Sequence, residues 1–116
     1  MRGAILAAMA HDPELAERIH EVLAGEPDLT HKKMFGGHGF LLGGHLTVSA
    51  SGLGGLLLRV DPAQAESLLN EPVVCRFEMR GRQMKGWLRV DPAALTTDGE
   101  LRRWVQLGVD YVRTLA

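Results

Sequence analysis

The side chains best suited to chemistry in this chain are five histidines and a single cysteine, Cys75. His38 and His45 are the strongest metal pair, because they could share one face of a sheet. If Gly43-Gly44 forms a two-residue turn, however, His45 stands opposite Leu42, four residues from His38. At about 3.4 Å per residue the two imidazoles lie roughly 13 Å apart, too far for one ion. His11, His20 and His31 fall in a leader, a helix and a loop with no i, i+4 pair, so neither metal nor cofactor is expected. Cys75 reads as an inward strand residue opposite Gly86 with no histidine near, hence a small buried hydrophobe rather than a nucleophile. Gly36-Gly37-His38-Gly39 and Gly52-Leu53-Gly54-Gly55 match neither the dinucleotide-binding nor the phosphate-loop pattern. No carboxylates converge on a cleft and no Ser-His-Asp set can be assembled, so no enzyme activity is expected.

A basic, partly aromatic surface is the other candidate. The alternation of a hairpin around Arg80-Gly81 puts Arg76, Lys85 and Arg89 on one side with Trp87. Arg80 and Arg82 fall at the tip, and Arg59 on a neighbouring strand. Such a face could contact phosphates and stack a base, or meet an acidic partner. Net charge is only −1, which gives no overall nucleic-acid footprint. The charge is unevenly placed: −4 over residues 1–30 and +3 over residues 31–91.

These residues must be positioned by an α+β scaffold. Asp12-Pro13 caps a first helix with an apolar stripe at Leu15, Ile19, Val22 and Leu23, ended at Gly25. Strand-like segments follow at 33–42, 45–50 and 55–60, the first two joined by Gly43-Gly44. Asp61-Pro62 opens a short helix to about Leu69. A second hairpin runs 73–79 and 82–90, with Val73, Cys75, Phe77, Met79, Met84 and Leu88 on its inner side. Thr97 to Glu100 form a capping box, and Leu101, Trp104, Val105, Gly108, Val112 and Leu115 form the stripe of the last helix. Leu58 to Ala63 recurs as Leu88 to Ala93 at two strand-to-helix junctions. The expected order is α-β(3)-α-β(2)-α, a five-stranded, mainly antiparallel sheet with helices on one face.

At 116 residues, a single domain is the natural reading. Residues 1–9 read as a flexible leader ahead of a domain over 10–116. No apolar run approaches the roughly 20 residues a membrane span needs. One cysteine excludes an internal disulfide and fits a reducing, cytoplasmic compartment.

The run Lys32-Lys33-Met34-Phe35-Gly36-Gly37-His38-Gly39-Phe40 resembles the signature of the TfoX/Sxy N-terminal domain family. Leu57 to Asp61, Phe77 to Trp87, and a closing helix with Trp104 and Tyr111 agree with it. The resemblance implies a fold shared with secretion-chaperone-like domains and kinship with bacterial regulators of competence genes. In those regulators a C-terminal helical domain follows; this chain is expected to be a stand-alone member. The motif residues that carry over are Lys33, Met34, Phe35, Gly36 and Gly37, with the Arg80-Gly81-Arg82 tip. Met34 and Phe35 point to opposite faces, and the glycines leave a trough that either accepts a partner's strand or serves a bulged backbone alone. The expectation is a non-enzymatic regulatory or protein-interaction module, a homodimer through the uncovered sheet face. The alternative is a nucleic-acid-binding accessory to transcription.

Overall fold

The computed structural model describes residues 12–34, 36–79 and 81–115. The leader expected over residues 1–9 lies outside them, as do Phe35 and Arg80. Helix α1 spans Pro13–Leu23, with Asp12 accepting the Glu14 N–H at 2.9 Å as its cap. The helix stops where expected, but on Ala24 in a right-handed conformation rather than on a left-handed Gly25. Strands β1 (Leu29–Met34), β2 (Gly37–Leu42), β3 (His45–Ala50) and β4 (Leu56–Arg59) follow. Helix α2 (Pro62–Leu68) leads to β5 (Val74–Met79) and β6 (Arg82–Val90). A 3₁₀ turn at Pro92–Ala94 precedes α3 (Asp98–Arg113).

The sheet has six strands in the order β1-β2-β3-β4-β6-β5, each neighbour antiparallel. The sixth strand corrects the expected five. Segment 33–42 is not one strand, because Gly36, at φ 74, turns the chain between β1 and β2. Strand β1 carries no apolar alternation: Thr30, His31, Lys32 and Lys33 are all exposed. Backbone pairing to β2 holds it, and its lysines guard a sheet edge against further pairing. A pattern search for alternating apolar residues passes over such a strand.

The second hairpin begins in the expected register, Met79 with Arg82 and Glu78 with Gln83, and then slips. Further along, Arg76 stands opposite Leu88, Cys75 opposite Arg89 and Val74 opposite Val90. Three extra residues of β6 are accommodated around Gly86, which sits at φ 77 and accepts a 2.8 Å bond from the Val60 N–H. An odd offset exchanges the two faces of a strand. Val74 is therefore buried and Cys75 exposed, reversing the sequence expectation, while Phe77 is half-buried and Met84 exposed.

One core forms on the helix side. Phe40, Val48, Leu56, Leu58, Leu88 and Val90 are almost wholly buried beneath Ile19 and Leu23 of α1 and Leu101, Trp104 and Val105 of α3. Gly108 lets α3 approach closely, since a Cβ there would lie 3.1 Å from the Thr47 carbonyl oxygen and the Leu58 side chain. Leu115, expected in the helix stripe, lies beyond its end and is exposed. The two copies of Leu-Arg-Val-Asp-Pro-Ala lie against each other: Leu58 pairs with Leu88 across β4 and β6. In each, the Asp side chain caps the following turn, Asp61 to the Ala63 N–H and Asp91 to the Ala93 N–H.

Gly81 and Gly86 share the same left-handed backbone, but only Gly86 is crowded, since a Cβ there would lie 2.9 Å from the Val60 carbonyl oxygen. Gly81→Ala should therefore cost about 1–2 kcal/mol of backbone strain, and Gly86→Ala clearly more, because a backbone atom must move. Urea unfolding of both variants measures the difference; equal losses would contradict the bulge.

Candidate interaction surface

Strand alternation places Met34, Leu41, Leu46, Ser49, Leu57 and Arg89 on the sheet face opposite the helices. Among the described residues, every helix packs on the other side. Met34, Leu41, Leu46 and Trp87 are half-buried, whereas Leu57 is 5% and Ser49 3% exposed. Leu57 is shielded because the β3–β4 loop folds back against Arg89, whose guanidinium donates to Gly54 O at 2.8 Å and Leu53 O at 3.1 Å. Leu53 itself projects from that loop at 70% exposure. The result is an apolar surface with a protruding leucine beside it.

The glycine trough of the Lys33–Gly37 motif is filled by the chain itself. A Cβ on Gly39 would come within 2.9 Å of Met34 Sδ and Leu46 Cδ1. One on Gly37 would reach 2.3 Å from Ala50 O, and one on Gly52 would lie 2.8 Å from Gly36 O. These glycines therefore let β2, β3 and the following loop approach each other, and Met34 lies flat across the gap. Lys33 is exposed on the β1 edge. Among the described residues of the motif, Met34 is the one whose side chain contributes to the open face.

The basic candidates do not share one surface. Arg76 turns toward α2 and bonds Glu66 at 2.6 Å, lining a cavity of about 330 Å³ with Lys85, Pro62 and Gly86. Arg89 is spent on the loop carbonyls. Arg59 sits at the rim of the sheet with its guanidinium 5.3 Å from the Trp87 ring and 5.6 Å from Tyr111 of α3. Arg82 and Lys85 are exposed. A continuous phosphate-tracking groove would need these charges aligned, and the register slip divides them.

A second concavity lies between α1 and strands β1 and β2, about 330 Å³ in volume and lined by Glu17, His20, His31, His38 and Phe40. His31, expected in a loop, stands on β1 with its Nδ1 2.8 Å from His38 Nε2. As they stand, no three His, Cys, Asp or Glu side chains among the described residues are grouped to hold a metal ion.

Arg113 ties the end of α3 to the α1–β1 connection, bonding Asp28 at 2.8 and 2.9 Å and also reaching Glu26. Asp28 in turn sits beneath the Gly43-Gly44 turn, where its backbone carbonyl accepts the Gly43 N–H.

The TfoX N-terminal domain model matches residues 21–111. The chain belongs to that family. No curated protein matches it. The match runs from the last turn of α1 into α3 and takes in the open sheet face, with His31, His38 and Phe40, while Glu17 and His20 lie before it. No helix among the described residues is long and apolar enough to cross a membrane.

Hydrogen bonding from Arg113 holds the Asp28 carboxyl below its usual range. A depressed folded-state value means that the contact stabilises above the ordinary carboxylate range and is lost as pH falls through the folded value. Asp28→Asn should thus be less stable than the parent at neutral pH, with the difference vanishing as pH falls through the depressed folded-state value. Thermal unfolding against pH checks this; a difference that persists in acid would contradict it.

Proposed function

We propose that this TfoX N-terminal domain is a non-enzymatic, cytoplasmic protein-interaction module of a regulatory kind, acting as a homodimer through the open sheet face. One observation carries the reading. Apolar side chains line both sides of the sheet, yet among the described residues helices cover only one of them. Uncovered apolar surface of this kind commonly marks a contact site. The kinship of the family with regulators of bacterial competence genes supports a regulatory setting rather than a metabolic one.

Size sets the strength of the contact. Strand spacing and rise give a six-stranded face of roughly 25 by 18 Å. That is less than the ~800 Å² per partner of a standard stable interface, so self-association is expected to be reversible. Leu53 at the loop tip extends the patch. Charge is not the driving feature, since Arg89 is already bonded and Arg59 is held between two rings.

Sedimentation velocity at rising protein concentration tests the proposal. The expected result is a concentration-dependent shift from monomer to dimer, abolished by Leu46→Glu with the circular dichroism spectrum unchanged. A parent protein that stays monomeric at the highest attainable concentration would remove the self-association. Binding to single-stranded DNA that weakens steeply with salt would favour the nucleic-acid reading instead.

A further inference from the structure

Arg59, at the rim of the open sheet face, is held differently from the other half-buried arginines among the described residues, Arg18, Arg76 and Arg89. Arg76 bonds Glu66 at 2.6 Å, Arg89 bonds two loop carbonyls, and Arg18 lies 3.6 Å from Asp98. Arg59 has neither an acid nor a carbonyl acceptor among the described residues. Rings hold it instead, with Trp87 at 5.3 Å and Tyr111 at 5.6 Å from the guanidinium carbon.

The fold sets these rings in place. Strand pairing puts Arg59 opposite Trp87, the residue that follows the Gly86 bulge. Tyr111 comes one turn after Gly108, whose missing side chain lets α3 lie against β4. Both rings are half-buried, so they take water from the guanidinium and restrict its long stem. Contact with a ring face uses no hydrogen-bond donor, because the guanidinium N–H groups lie in the plane of the group. The Trp87 indole N–H and the Tyr111 hydroxyl also have no hydrogen-bond partner among the described residues. Donors on three neighbouring side chains are thus left for a ligand.

We propose that Arg59 is a carboxylate-binding site, taking an acidic side chain of the protein segment that covers the open face. Only the source of that carboxylate rests on reading the face as a contact surface; the affinity for a carboxylate stands without it. A single guanidinium fork matches the two oxygens of one carboxylate. Nucleic-acid backbones are instead bound by many cations in a row, and here Arg89 is bonded elsewhere while Lys85 lines the cavity beside α2. Arginine is weakly hydrated, and its stem is already ordered by the two rings, so pairing loses little solvation and little side-chain freedom. Apolar area supplies the strength of the contact, and Arg59 selects which segment fits.

Heteronuclear NMR of the full-length protein, kept dilute and titrated with acetyl-Leu-Asp-Leu-amide, tests the site. The Trp87 indole and Arg59 side-chain N–H resonances should shift to saturation, while the indole of Trp104, 1% exposed in the core, stays in place. Acetyl-Leu-Asn-Leu-amide, a neutral isostere, should bind about ten-fold more weakly, the worth of a hydrogen bond to a charged group. Arg59→Lys keeps the charge but not the fork and should lose a similar factor, with the unmoved Trp104 resonance reporting that the variant is folded. Equal affinity for the two peptides, no shift at the highest soluble peptide concentration, or a larger response to inorganic phosphate at equal ionic strength would overturn the proposal. Sedimentation of the parent separates this from the dimer reading. A monomer that binds the Asp peptide keeps the site and loses the dimer, and a dimer whose dilute monomer ignores the peptide does the reverse.

Discussion

The bond from the Val60 N–H to the Gly86 carbonyl is the constraint on which the two faces of this sheet depend. It seats the end of β4 against a left-handed residue of β6 where no side chain fits. Three residues are thereby taken up on one strand of the hairpin and none on the other. Beyond that point every side chain of β5 lies on the face opposite to the one simple alternation assigns. Val74 enters the core, Arg76 reaches α2, and Cys75 emerges on the open face. The division between packed and open surface is thus decided by one glycine and one backbone hydrogen bond.

The packed face follows from close approach. Trp104 is 1% exposed, and truncating a buried tryptophan costs about 3–5 kcal/mol. That payload is reached only because Gly108 lets α3 lie against Thr47 and Leu58. Both helices with long apolar stripes are drawn to that side, and α2 covers β6 beside them. On the opposite face Met34, Leu41, Leu46 and Trp87 are half-buried, and no helix among the described residues covers them. An apolar sheet face left in this state is the physical basis for reading the domain as a contact module.

Local signals in the sequence were reliable where the chemistry is local. The Asp-Pro caps, the Thr97–Glu100 capping box and the Gly43-Gly44 turn act within a few residues, and each lies where the sequence places it. Strand β1 was illegible, because an exposed polar edge strand is specified by its partner and not by its own pattern. That omission also hid His31 beside His38, since their proximity exists only once β1 pairs with β2. The inversion of Cys75 came from an odd insertion that alternation cannot detect. Leu41, Leu46 and Leu57 could have been found: Phe40-Leu41-Leu42 and Leu56-Leu57-Leu58 are apolar at consecutive positions, which marks strands with apolar side chains on both faces.

Native-state alkylation of Cys75 tests the placement of the two faces most directly. With the bulge at Gly86, Cys75 faces away from the helices, and dilute folded protein should react at nearly the rate of the unfolded chain. Slowing of that rate as protein concentration rises would follow from association through the same face. A thiol that stays protected in dilute protein until denaturant unfolds the domain would put Cys75 in the core and contradict the account.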